Sequence, residues 1–206
     1  MCYEGDVSAA QPEAKPWFFD VWSSFYDLAP VQRLTYRPVQ DAVVEELGAA
    51  PVPRVLDLGC GTGLLTELLV GRVASVDGVD ISPKMRDVFA SKVRDRSWED
   101  VSVHAELPDG EFDLIVCSSV LGFVDDYAAA VAQLAGLLAP GGLLVHWDWA
   151  RDEEHPSAGG LTPEHIRSAL TDVGLAGVEA GVGFEASVEG EEMRPLMGAA
   201  QRPPTP

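Results

Sequence analysis

Val55-Leu56-Asp57-Leu58-Gly59-Cys60-Gly61-Thr62-Gly63 is the stretch that most limits what this chain can become. An apolar run ends in three glycines at alternate positions, and a helical pattern begins at Leu64. That order requires a buried strand, a tight loop and a helix in immediate succession. Strand and helix patterns then alternate: strand Arg54–Leu58, helix Leu64–Val70, strand Val73–Val79, helix Pro83–Arg94, strands Val101–His104 and Phe112–Cys117, helix Ala128–Leu138 and strand Leu143–Trp147. Thr162-Pro163-Glu164 supplies a cap and an N1 proline for a helix to about Val173, and strand patterns at 176–184 and 193–199 follow. Repeated β-α units of this kind imply a mainly parallel sheet with helices on both faces.

Ahead of this alternation lies a different kind of sequence. Residues 1–15 are small, polar and unpatterned, and then Trp17, Phe18, Phe19, Trp22, Phe25 and Tyr26 fall within ten residues. The spacing of 18, 22, 25 and 26 suits one face of a short helix, and Val39, Val43, Val44 and Leu47 suit another, stopped at Gly48. The division expected is an N-terminal tail and helical lid over 1–52, a main domain over 53–200 and a disordered Pro-rich end over 201–206.

Composition narrows the partners. The chain has 206 residues, 47% of them hydrophobic and 23% charged, which fits one globular domain with elaborations. Acidic side chains outnumber basic ones 33 to 14, a net charge of −19 that divides as −5 over 1–50, −8 over 51–150 and −6 over 151–206. No stretch is a basic patch, so a nucleic acid or an anionic membrane surface meets repulsion from most directions. The longest apolar run, Leu114 to Val124, is broken by Ser118, Ser119 and Gly122 and falls far short of the roughly 20 residues of a membrane-spanning helix. Cys2, Cys60 and Cys117 are too few and too scattered for a disulfide framework or a zinc site, and no secretory pattern opens the chain. A cytoplasmic protein with reduced thiols is expected.

In an open parallel sheet, ligands bind beyond the carboxyl ends of the strands, where the first loop turns into its helix. The glycines at 59, 61 and 63 would let a ligand approach the backbone there. The dinucleotide pattern GxGxxG would need a glycine at 64, where this chain has Leu64, and the Gly-Lys-Ser/Thr ending of a phosphate-binding loop is absent. These departures favour a nucleoside ligand without a pyrophosphate. Gly78-Val79-Asp80-Ile81-Ser82 adds a carboxylate at the end of the second strand, 17 residues past Gly63. Asp80 there can accept both hydroxyls of a ribose, or simply cap the helix that starts near Pro83.

With VLDLGCGTG (55–63), GVDIS (78–82), HAELPDGEFDLIVCSSVLGFVDD (104–126) and LLAPGGLLV (137–145) in this order, the chain resembles the class I S-adenosylmethionine-dependent methyltransferases, in particular the small-molecule branch that includes the ubiquinone/menaquinone-biosynthesis enzymes. The resemblance covers about 17–150. It implies a Rossmann-like, mainly parallel seven-stranded sheet under an N-terminal helical lid, S-adenosylmethionine as cofactor and S-adenosylhomocysteine as product. It also implies that Gly59, Cys60, Gly61 and Thr62 border the methionine moiety and that Asp57 orients that loop or receives the ammonium through water. Asp80 would hold the ribose, Ile81 and Met85 would flank the adenine, and His104 and Ala105 stand where an Asp-Ala or Asn-Ala pair usually lies beside it. Cys117, Ser118 and Val120 would line the floor below the sulfonium, and Tyr26 matches an aromatic over the cofactor.

The reaction implied is in-line transfer of a methyl group to a small-molecule acceptor, by a monomer or homodimer. A base is helpful to it without being obligatory. Strand alternation puts His146 and Asp148 on one face near the carboxyl end of the fifth strand, which makes them the catalytic candidates, with a hydrogen-bonded structural pair as the other reading. His155 falls in the loop 151–160 and His165 behind a helix cap. Acidic pairs such as Asp125-Asp126 and Glu153-Glu154 suit solvated loops, so no metal is expected. Three other functions share this sequence pattern: a protein that binds the cofactor without transferring methyl, a non-methylating cyclase and, disfavoured by Leu64, a nicotinamide oxidoreductase.

Overall fold

The computed structural model describes Asp27, Gln40 and residues 54–148, 161–183, 186–188, 191–193 and 195–205. The chain alternates as its sequence pattern requires: β1 (Arg54–Leu58), α1 (Leu64–Leu69), β2 (Ser75–Val79), α2 (Pro83–Asp95), β3 (Val101–His104), β4 (Phe112–Ser118), a 3-10 turn (Leu121–Phe123), α3 (Tyr127–Leu137), β5 (Leu138–Asp148), α4 (Pro163–Asp172), β6 (Ala176–Val182), β7 (Ala186–Val188), β8 (Glu191–Met193) and β9 (Leu196–Gln201). The expected lid helices, Tyr26, Trp149 and the loop carrying His155 lie outside the described residues.

Seven strands form one sheet in the order β3-β2-β1-β4-β5-β9-β6. The first five run parallel, and β9 runs antiparallel to both β5 and β6. The strand order reverses between β1 and β4, and the crevice opposite that reversal is where a sheet of this type takes its ligand.

Alternation along each strand sorts the core onto two faces. Leu56, Leu58, Ile115, Cys117 and Leu144 pack with Val131, Leu134, Ile166 and Leu170 of α3 and α4. Val55, Val76, Leu114, Val116 and Trp147 pack on the other face with Leu65, Leu69 and Phe89 of α1 and α2. Helix starts follow local chemistry: the side chains of Ser82, Asp126 and Thr162 accept the N–H groups of Met85, Ala129 and His165, and Pro83 and Pro163 open α2 and α4.

The carboxyl end departs from expectation. Gln201 closes β9, and Arg202 exchanges backbone hydrogen bonds with Gly141 and Gly142 at 2.9 and 2.8 Å. Its guanidinium also reaches the Leu138 carbonyl, so the Pro-rich end is tied down through 202. β7 and β8 pair as a separate antiparallel hairpin that the sequence pattern did not mark.

Candidate active site

The glycine loop leaves β1 at the reversal point and is tied at once to β2. Gly59 N–H and Cys60 N–H both donate to the Val79 carbonyl, at 2.8 and 3.0 Å. Gly59, Gly61 and Gly63 take φ of 75°, 54° and 85°, which side-chain-bearing residues seldom adopt. Space demands glycine as well: a methyl on Gly59 would overlap Val120 Cγ2, and one on Gly63 would overlap the ring of Phe89. The same ring lies 2.6 Å from where a methyl on Gly78 would sit. Phe89 of α2, fully buried, therefore clamps the loop and β2 together.

Asp80 stands half-buried beside this loop. Its Oδ2 accepts Gly61 N–H at 2.9 Å and its Oδ1 accepts Ser82 N–H at 2.8 Å, while Arg86 donates to its carbonyl at 2.6 Å. Each oxygen of an ionised carboxylate has about two acceptor positions, the chemistry that a pair of ligand hydroxyls would use. Asp57, on β1, is 1% exposed and accepts the Thr66 hydroxyl at 3.1 Å. Burial, reinforced by the nearby charge of Asp80 and opposed by the Thr66 bond, pushes its carboxyl up to about 7. Ile81 is half-buried at the start of the next turn, and Met85 is buried in the first turn of α2.

Other candidates are placed differently. His104 pairs with Val79 across β2 and β3, yet its Nε2 lies 2.8 Å from Asp77 Oδ1, two residues back along β2. The imidazole thus leans away from the carboxyl edge into a string in which Arg54 donates to Asp77 Oδ2 at 2.9 Å. What His104 offers the edge is backbone, its carbonyl accepting Asp80 N–H at 3.3 Å, and Ala105 after it is exposed. Cys117 is wholly buried on the α3 and α4 face, where burial pushes its thiol pKa up, as it does for Cys60. Ser118 is half-buried and points to the opposite face.

His146 and Asp148 do share a face, with Nδ1 and Oδ2 3.5 Å apart, but both are sealed at 0% and 1% exposure. His146 Nε2 meets the Tyr127 hydroxyl at 2.8 Å, and Asp148 Oδ1 accepts Gly122 N–H at 3.0 Å. The arrangement is a buried cluster beneath the β4–α3 connection, with neither side chain open to solvent. Tyr127 is a participant that the sequence reading did not name. Asp27 is a second: its carboxylate accepts the Thr62 hydroxyl and lies 2.6 Å from Lys92 Nζ. Among the described residues no group of three or more His, Cys, Asp or Glu side chains could hold a metal ion, and no helix is long and apolar enough to cross a membrane.

A glycine loop and an acid meet at the reversal point of a 3-2-1-4-5 sheet with an antiparallel β9, which is a Rossmann-like architecture. Over residues 31–189 the chain matches the Methyltransferase domain family, and it belongs to that family. It is 36% identical over 115 residues to trans-aconitate 2-methyltransferase of Pseudomonas aeruginosa, covering 55% of this chain and 42% of that protein. Over 116 residues it is 39% identical to the ubiquinone biosynthesis O-methyltransferase of Xanthomonas campestris, covering 52% and 47%. The match thus spans about half the length of these curated relatives. Among solved structures, the N-methyltransferase NodS of Bradyrhizobium japonicum, in complex with S-adenosyl-L-homocysteine, superposes with a TM-score of 0.72 at 21% identity, over 91% of this chain and 97% of that one. At that identity the likeness is one of fold.

Proposed function

We propose that this protein transfers a methyl group from S-adenosylmethionine to a small-molecule acceptor by in-line displacement. The observation that carries the reading is the junction of Asp80 Oδ2 and Gly61 N–H at 2.9 Å, which sets a half-buried carboxylate against a glycine loop at the reversal point. The residues present fit the cofactor: glycines at positive φ bring the loop backbone to the reversal point, and the Asp80 carboxylate stands against that loop. When bound, S-adenosylmethionine supplies a methyl group already activated on its sulfonium.

In this reading Asp80 accepts the ribose hydroxyls, Ile81 and Met85 flank the adenine, and Ala105 with the backbone of His104 closes its edge. Gly59, Cys60, Gly61 and Thr62 border the methionine moiety, and Asp57 braces the loop from beneath. Ser118 and the backbone of Cys117 form the floor. His146 and Asp148 act through the β4–α3 connection, where Asp148 holds Gly122 N–H and so fixes the acceptor side. The protein's contribution is mainly alignment and exclusion of water, which is worth up to ~7–11 kcal/mol of barrier. A charge of −19 favours a neutral or cationic acceptor over a polyanion. A cytoplasmic monomer or homodimer suits this function.

The test is calorimetric titration with S-adenosylmethionine and S-adenosylhomocysteine, alongside Asp80→Ala. The expected result is micromolar binding that the variant weakens at least 100-fold, followed by an acceptor screen scored by S-adenosylhomocysteine release. Absence of binding to either compound would remove the methyltransferase reading, and turnover without S-adenosylhomocysteine would favour a cyclase.

A further inference from the structure

Five residues make up the glycine loop, and their ties can be followed one by one. Gly59 and Cys60 bond to Val79 of β2, Gly61 bonds to Asp80 just beyond β2, and Gly63 N–H bonds back to Cys60 at 2.9 Å. Every one of these stays within the β1–α1–β2–α2 unit. Thr62 is different: its hydroxyl donates to Asp27, 35 residues earlier in the chain. Thr62 itself is fully buried, so this bond occupies a hydroxyl with no access to water.

Asp27 is held on its other oxygen as well. Lys92 Nζ of α2 lies 2.6 Å from Asp27 Oδ2 and 2.8 Å from Glu67 Oε1 of α1. Arg96 then takes the second oxygen of Glu67 at 2.9 Å. The Asp27 carboxylate is thus shared between the glycine loop and the helix whose Phe89 clamps that loop. Lys92 is only 17% exposed, which places this pair in the partly desolvated range where charge geometry is well defined. Arg96, at 49% exposed, forms the solvated far end of the chain of charges.

We infer that Asp27 is a positioning residue for the cofactor loop: its carboxylate, oriented by Lys92, fixes Thr62 from outside the nucleotide-binding unit and so sets the conformation that receives S-adenosylmethionine. The inference rests on the cofactor assignment proposed above. It differs from a bare stabilising ion pair in one respect, since the second partner of the carboxylate is a loop hydroxyl and not another surface charge. Removing the carboxylate's charge leaves Lys92 with Glu67 and weakens the hold on Thr62, while β1, β2 and their pairing are untouched.

The experiment is titration of the full-length protein with S-adenosylhomocysteine, comparing the unaltered chain with Asp27→Asn, Lys92→Met, the double variant and Arg96→Met, with thermal unfolding of each. The expected result is a roughly tenfold weaker Kd for Asp27→Asn, a roughly fivefold weaker Kd for Lys92→Met, and a double variant no weaker than Asp27→Asn alone, because the two act through one carboxylate. Arg96→Met should leave Kd within about twofold. In turnover, KM for S-adenosylmethionine should rise with kcat little changed. A lowered melting temperature with unchanged Kd in Asp27→Asn would overturn the inference and leave a structural ion pair. An equal loss in Arg96→Met would also overturn it, pointing to overall charge. If the unaltered protein fails to bind, the cofactor assignment itself falls.

Discussion

Two carboxylates at the carboxyl edge of the same sheet live in opposite settings. Asp80, after β2, is half-buried, and both its oxygens meet backbone N–H groups at 2.8–2.9 Å. Asp148, at the end of β5, is 1% exposed, with one oxygen on Gly122 N–H and the other 3.5 Å from His146 Nδ1. The first is organised and partly exposed; the second is closed over by protein. A group that binds must keep acceptor capacity facing a cleft, whereas a sealed one can only transmit geometry to whatever it holds. On the reading proposed above, recognition belongs to the β1–β2 end and support to the β4–β5 end.

The largest effect expected is at the join between the two ends. Val120, from the β4–α3 connection, packs on Gly59 where a methyl would overlap it, and Gly59 has φ 75°. Gly59→Ala should therefore cost about 2–5 kcal/mol from left-handed strain and overpacking together, and abolish cofactor binding. Adding Val120→Ala should return the steric part and leave the strain. If the double variant recovers both stability and affinity fully, backbone conformation at Gly59 matters less than the contact, and the two ends are joined by packing alone. Thermal unfolding with calorimetry reads both quantities.

Next in size is a pH effect confined to the recognition end. Asp57 holds its proton up to about 7, against 3.8 in its ordinary state, chiefly because it is buried. The folded protein therefore binds this proton more tightly than the unfolded chain does. Stability contributed here falls as pH rises from the ordinary value toward about 7 and is level beyond it. Asp57→Asn has no such loss. The variant's stability relative to the unaltered protein should shift in its favour by on the order of 3 kcal/mol between about pH 4 and about pH 8. Urea unfolding of the ligand-free proteins at several pH values measures it; a pH-independent difference would mean that Asp57 is ionised throughout.

Much of the recognition end was readable from sequence because its signals are local. Glycines at 59, 61 and 63 and the acid at 80 each mark a strand end, and the Ser82-Pro83 and Thr162-Pro163 caps mark helix starts. What escaped depends on pairing between distant segments. The lean of His104 toward Asp77 follows from the register of β2 on β3, and a pattern of period two does not number its partners. Asp27 meets Thr62 across 35 residues with no spacing rule to announce it. The sequence pattern puts the last strand at 193–199, and it lies at Leu196–Gln201, because Gly198, Ala199 and Ala200 give little alternation. Its tight fit is visible only in three dimensions, where a methyl on Gly198 would overlap His146 Nε2 and crowd Ile166.

The smallest effect expected decides what the sealed end does. His146 Nε2 and the Tyr127 hydroxyl share a hydrogen bond of 2.8 Å, while Nδ1 faces Asp148 Oδ2 at 3.5 Å. Burial, and then the Asp148 charge, raise the phenol's pKa, so it keeps its proton at any working pH. Tyr127→Phe would leave a buried ring nitrogen without its partner and should cost roughly 1–2 kcal/mol of stability. As support for Gly122 and the connection that carries Val120, the cluster should lower kcat a few-fold when loosened, with Kd for S-adenosylhomocysteine unchanged. The shape of the pH–rate profile separates support from proton transfer. A supporting His146 leaves that shape as it was in Tyr127→Phe and only lowers the curve. A His146 that removes a proton from the acceptor loses a hydrogen-bond partner in the variant, so the acid limb must move along the pH axis. An unmoved limb with a lowered plateau assigns His146 and Asp148 to holding the acceptor side in place.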